Sequence, residues 1–192
     1  MTDQTPPSET HADTTAATDR VETTVSEENR EAPIAVLQIE PDARSAELFE
    51  TFAERITDRV HVRSVKRLAD GVDAIETGIE VGGERVAVDC VVTEQRLPDG
   101  HGVDLTERLR EVDPALPVVF HSTCPSEECE AAAFGAGADA YFEKGSDRGR
   151  YDAILDRIRA LADAQRREEG GTGTAATPRT AGSTGETLRS EE

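Results

Sequence analysis

The chain has 192 residues, room for one domain with tails, and carries 40 acids against 21 bases for a formal charge of -19 at pH 7. A surface of that sign repels nucleic-acid phosphates and anionic lipid, so neither is an expected partner. No apolar run approaches the ~18 residues of a bilayer span, and MTDQTPPSETHADTT lacks the basic start and apolar core of a secretion signal, so a cytoplasmic protein is expected.

The first 31 residues are Thr, Ser, Pro and acid with scarcely an aliphatic side chain. They cannot bury enough apolar surface to order themselves and are expected to form a disordered tail over 1–31. The globular part is expected at 33–167. Within it short apolar runs alternate with amphipathic stretches. IAVLQI (34–39) predicts the first strand. Leu48, Phe49, Phe52 and Ile56 then recur at helical spacing and predict the first helix. VHVRSV (60–65) alternates with His61 and Arg63, as a strand near a sheet edge would. A second helix is expected over roughly Leu68–Ile79, and Gly82-Gly83 as a tight turn. VAVDCVV (86–92) is apolar almost throughout and predicts a central buried strand.

Val103, Leu105, Leu109 and Val112 mark a third helix that stops at Asp113-Pro114. PVVFHS (117–122) predicts the fourth strand. Ser126-Glu-Glu suits a helix N-terminus, and that fourth helix should stop around Gly135 to Gly137. DAYFEK (139–144) predicts the fifth strand. Tyr151, Ile154, Leu155, Ile158 and Leu161 line one side of a last helix from about Arg150 to Arg166. From 168 to 192 the chain is rich in Gly and Thr, and a second disordered tail is expected. With no output domain legible after the last helix, a stand-alone domain is expected. Five strands alternating with five helices give an α/β fold: a doubly wound, five-stranded parallel sheet with helices on both faces.

Lys66 and Lys144 are the chain's two lysines; the remaining bases are Arg. Excess acid with Lys nearly absent is the composition expected of a protein from a high-salt cytoplasm, where ions screen self-repulsion. Cys90, Cys124 and Cys129 fit a reducing compartment, and Cys90 reads as a core residue. His121, Cys124 and Cys129 lie close in sequence. Their spacing matches no common zinc pattern and lacks a fourth ligand, so packing or an exposed loop is expected there.

In open parallel sheets ligands bind beyond the carboxyl ends of the strands. Those ends carry Glu40-Pro41-Asp42, then Thr93-Glu94 with Pro98-Asp99-Gly100-His101-Gly102, then His121-Ser122-Thr123, and Tyr141-Phe142-Glu143-Lys144. Asp99 and His101 are expected as solvated loop groups. This order resembles the receiver domain of two-component response regulators (CheY-like) over about 34–167. Three stretches carry the likeness: Glu94 followed by Pro98 and Asp-Gly-His-Gly, Pro117 to Ser122, and Ala136 to Lys144.

The resemblance implies an Asp after the third strand that takes a phosphoryl group from a histidine kinase. Acids after the first strand would help it hold Mg²⁺. A Lys would neutralise phosphoryl charge, and a Thr or Ser hydroxyl would follow the phosphate and draw an aromatic residue inward. Mapped onto this chain, the Lys is Lys144, the hydroxyl Ser122 and the aromatic Tyr141. Glu94 stands at the acceptor position, and its extra methylene moves the carboxylate by about 1.5 Å. Displacement on the order of 1 Å can cost around a hundredfold in rate. The acidic pair maps to Glu40 and Pro41, and Pro41 offers no side-chain oxygen. Asp42 is a partial substitute, so Glu40 and Asp42 form a weak metal set, and no cofactor is expected unless Mg²⁺ still binds.

The expectation is therefore a non-enzymatic pseudo-receiver acting through contact with signalling proteins, a histidine kinase or a downstream regulator, with homodimerisation left open. Glu94 would act as a built-in acid opposite Lys144. One alternative is a phosphorylatable receiver. Another is a flavodoxin-like binder or enzyme, which would want a Gly- or Ser/Thr-rich phosphate cradle where Glu40 to Arg44 stand.

Overall fold

A computed structural model of the chain describes residues 32–145 and 149–171. Strands β1 (Ile34–Ile39) and β2 (Val60–Val65) lie in register along their whole length, Ile34 opposite Val60 and Ile39 opposite Val65. On the other side of β1 runs β5 (Cys90–Thr93), then β8 (Val118–Ser122) and β9 (Ala140–Glu143). All these pairings are parallel and the order is β2-β1-β5-β8-β9, so the strand order reverses between β1 and β5. The expected doubly wound parallel sheet is the observed one.

Side chains alternate along each strand, and each face has its own core. Ile34, Val36, Cys90, Val92 and Val119 point to the face covered by α1 (Ala43–Ile56) and α5 (Gly149–Gly171), meeting Phe49, Ala53, Ile154, Leu155 and Ile158. Ala35, Leu37, Ile39, Val91, Val118 and Phe120 point to the opposite face. There α2 (Leu68–Thr77), α3 (Gly102–Val112) and α4 (Glu127–Gly135) supply Leu68, Leu105, Leu109 and Ala133. Two residues counted into helix faces stay out of these cores: Leu48 is 44% and Val112 77% exposed.

The chain departs from the expected elements in three places. Ile79, expected to end α2, instead opens β3 (Ile79–Val81), which pairs antiparallel with β4 (Glu84–Val86). The Gly82-Gly83 turn closes this hairpin with φ of 62° and 89°, the positive pair a tight two-residue hairpin turn requires. The apolar run 86–92 is thereby divided. Val86 belongs to the hairpin, and Asp89 turns the chain into the sheet by exchanging hydrogen bonds with Ala35 through both its backbone and its carboxylate. Finally, α5 continues to Gly171, past the expected boundary at 167. Arg166 donates to the carbonyls of Ala32 and Pro33 and pairs with Asp89 at 3.0 Å, fastening the helix end to the start of β1. The expected tail over 1–31 and the rest of the second tail lie outside the described residues.

After β5 the chain forms a tight loop with β6 (Arg96–Leu97) paired to β7 (Gly100–His101). The Gly102 N–H closes it on the Gln95 carbonyl at 2.9 Å. A Cβ on Gly102 would sit 2.7 Å from the Glu94 carbonyl and 2.8 Å from the Phe120 ring, so only glycine lets α3 start this close to the strand ends.

Candidate functional site

Four strand ends converge at the carboxyl edge of the sheet, and their backbones are cross-tied. The Glu94 N–H donates to the Ile39 carbonyl (3.0 Å), the Glu40 N–H to Val65 (2.8 Å) and the Lys144 N–H to Ser122 (2.7 Å). The residues held there include Glu40, Glu94 and Ser122, all buried, at 2%, 4% and 0% exposure.

Lys144 lies between the two acids. Its Nζ donates to Glu40 Oε2 and, at 2.9 Å, to Glu94 Oε2. Glu94 is the most densely bonded group in the pocket. Its Oε1 accepts from Ser122 Oγ and from the Gln95 N–H (2.6 Å). Its Oε2 also accepts from the Thr123 N–H (3.0 Å) and Thr123 Oγ1 (3.2 Å). The sequence reading brought Glu40, Glu94, Ser122 and Lys144 together, as the structure does. It gave Thr123 no role; the only signal was its place directly after the strand-end hydroxyl.

Burial pushes the Glu94 carboxyl up, but hydrogen bonds from Ser122 and then Lys144 outweigh it and hold the group below its ordinary value. For Glu40 burial wins over Lys144, and with Glu94 repelling it as well its carboxyl lies above the ordinary value. Burial alone would lower Lys144, yet its two carboxylate partners raise it. The trio thus consists of an ammonium, an ionised Glu94, and a Glu40 that protonates more readily.

These donors do not fit Mg²⁺. Both Glu40 and Glu94 are turned onto Lys144, and Pro41 has no side-chain oxygen. The Asp42 carboxylate caps α1 instead, accepting from the Ser45 N–H at 3.0 Å and Ser45 Oγ at 2.7 Å. Among the described residues no group of three or more His, Cys, Asp or Glu is placed to hold a metal ion. Asp99, expected as a solvated loop group, also caps a helix: the N–H groups of Leu68 and Ala69 at the start of α2 donate to it at 2.8 and 3.0 Å.

From Ser122 a chain of hydrogen bonds leads out of the pocket. The Cys124 N–H donates to Ser122 Oγ (3.1 Å), and Tyr141 Oη donates to the Cys124 carbonyl (2.6 Å). The half-buried Tyr141 ring stacks on Phe120 at 5.9 Å. The expectation of plain packing or a loop for Cys124 and Cys129 is corrected, since the two are joined as a disulfide; Cys90 is free and buried. His121 faces the other side of the sheet, beside Phe49 and Tyr151, with ring centroids 6.0 and 5.7 Å away. Among the described residues its buried Nδ1 has no hydrogen-bond partner, and burial, with Lys144 adding to it, brings its pKa down to about 4.

A family model described as "Response regulator receiver domain" matches residues 36–156. The chain is 28% identical over 129 residues to "Probable transcriptional regulatory protein TcrX" of Mycobacterium tuberculosis, covering 67% of this chain and 50% of that one. It is 28% identical over 120 residues to "Response regulator protein PilR" of Pseudomonas aeruginosa, covering 62% of this chain and 24% of the other. The chain therefore spans at most about half the length of these relatives. Among solved structures it is similar to a CheY-like receiver domain protein from Methanospirillum hungatei, with a TM-score of 0.58 at 20% identity, over 71% of this chain and 99% of that one.

Proposed function

The chain belongs to the response regulator receiver family of two-component signalling, and from that premise we propose that it is a pseudo-receiver, working by protein contact without taking up phosphate. The observation that carries this reading is the Glu94 carboxylate, which already holds both Ser122 Oγ and Lys144 Nζ. In the family these two groups attend a phosphoryl oxygen. Here a permanent side-chain anion occupies them. An acceptor must also be free to attack, and Glu94 has its oxygens committed to Gln95, Ser122, Thr123 and Lys144. The rival small-molecule reading loses its ground with the family membership.

On this reading Ser122 and Tyr141 are held in one arrangement by Glu94, and a signalling partner docks on the face formed by α4, β9 and α5. Phe134, 46% exposed on α4, supports that choice of face. The acid excess belongs to the same proposal, as an adaptation to concentrated salt. The test is incubation of the full chain with acetyl phosphate and Mg²⁺ followed by intact mass. Unmodified protein is the expected result; an acyl-phosphate on Glu94 would overturn the proposal.

A further inference from the structure

Cys124 and Cys129 join the loop leaving β8 to the first turn of α4, with Cα atoms 6.3 Å apart, inside the range a disulfide spans. A separation of five residues closes a very short loop, so the bond constrains the unfolded chain less than a long-range disulfide would. A domain with an apolar core on each face of its sheet does not need such a staple to fold. What the bond does constrain is the backbone from Cys124 to Cys129, together with Thr123 joined to its start. That segment carries the Thr123 N–H on Glu94, the Cys124 N–H on Ser122, the Cys124 carbonyl under Tyr141, and Ser126, whose Oγ caps α4 by accepting from the Cys129 N–H at 3.2 Å.

The geometry points to Cys124 and Cys129 as a reversible redox modification site whose state is read directly by Ser122 and Tyr141. This holds whether or not Glu94 accepts a phosphoryl group, because the cross-link lies outside the acceptor position. Cys124 is 8% exposed and Cys129 more open, so Cys129 is the sulfur an outside thiol reaches first. In oxidation the Cys129 thiolate attacks one sulfur of a small disulfide RSSR and expels one RS⁻. The Cys124 thiolate then attacks Cys129 Sγ, forms the internal bond and expels the second RS⁻. Two protons and two electrons leave the protein, and RSSR becomes two RSH. Reduction by two thiols runs the same steps backwards. Glu127, Glu128 and Glu130 flank Cys129 in the first turn of α4, so a cationic thiol is favoured over an anionic one.

The full chain would be equilibrated at graded ratios of cysteamine to cystamine. One portion would be denatured, alkylated and weighed; another would be followed by amide NMR. Since Cys90 carries a thiol throughout, one alkyl group is expected on oxidised protein and three on reduced. The amides of Ser122, Thr123 and Tyr141 should shift in step with the fraction of disulfide. Cys124→Ser with Cys129→Ser should hold the reduced positions at every ratio; if that variant does not fold, the wild-type titration decides alone. Three alkyl groups at every ratio would overturn the proposal. So would a disulfide that forms while those three amides stay still, since the bond would then be a local staple only.

Discussion

The buried trio lends itself to a double-mutant cycle of Glu94→Gln and Lys144→Met. Side-chain exposure is 4% for Glu94 and 12% for Lys144, so their attraction is little screened by solvent. Breaking a buried pair from one side typically costs about 3–5 kcal/mol, because the remaining charge is left without compensation. Lys144→Met should fall in that range, since Glu40 and Glu94 would then face each other with no cation between them. Glu94→Gln should cost less, about 2 kcal/mol, because an amide oxygen still accepts from Ser122 and Thr123 and Glu40 still holds Lys144. The double variant should cost less than the sum by roughly 2 kcal/mol, the size of coupling expected for groups in contact. Urea unfolding followed by far-UV circular dichroism at fixed high salt would measure this. Single effects that add to within about 0.5 kcal/mol would refute the reasoning, because groups that do not interact behave that way.

Two other tests probe the surroundings. His121 has a pKa of about 4 in the fold against an ordinary 6.5, so on acidification the unfolded chain takes up its proton first. Stability from this residue is complete above about pH 6.5 and should be lost towards pH 4, by about 3 kcal/mol in all. His121→Leu should remove that loss, seen as a wild-type-minus-variant difference in unfolding free energy that changes across this window; a constant difference would dismiss the effect. Separately, the charge of -19 predicts that the melting temperature climbs as KCl goes from about 0.1 M to about 1 M, where the screening length shrinks from about 10 to about 3 Å. A flat or falling melting temperature would remove the high-salt adaptation.

The strand ends were legible because apolar runs of four to six residues stop abruptly at Glu40, Glu94, Ser122 and Lys144, polar groups that only a sheet edge can bring together. The β3–β4 hairpin was not, because three-residue strands are too short to show alternation and Val86 merges with the apolar run after it. Asp42 reads as a weak metal ligand and Asp99 as a solvated loop group because capping depends on which N–H groups lie within reach, and for Asp99 those belong to a helix about 30 residues earlier in the chain. The end of α5 lies beyond the expected boundary because the charged run 163–168 carries no core pattern; its anchor is Arg166 on the carbonyls of Ala32 and Pro33. The Cys124–Cys129 bond was hidden for a similar reason, since composition and an odd cysteine count say nothing about which sulfurs face each other.

On the proposed pseudo-receiver reading, the departures from the implied pocket make sense together as charge balance. A receiver pocket of the kind the resemblance implies holds two acids after its first strand, an acceptor acid and one Lys, for a net charge of two negatives that a divalent cation would offset. Pro41 removes one acid, leaving Glu40, Glu94 and Lys144 at one negative charge, and the upward shift of Glu40 brings the trio closer to neutrality. The longer Glu94 side chain then reaches Lys144 directly, at 2.9 Å, without a metal or phosphate between them. Neither substitution alone accomplishes this. With Asp at the acceptor position Lys144 would lose part of its reach, and with an acid in place of Pro41 the buried charge would again call for a cation. On that reading one substitution should not be enough for phosphate uptake: Glu94→Asp alone should stay unmodified by acetyl phosphate and Mg²⁺, whereas Glu94→Asp with Pro41→Asp should begin to accept. A single Glu94→Asp chain that takes up phosphate would show that the acceptor position alone decides the chemistry.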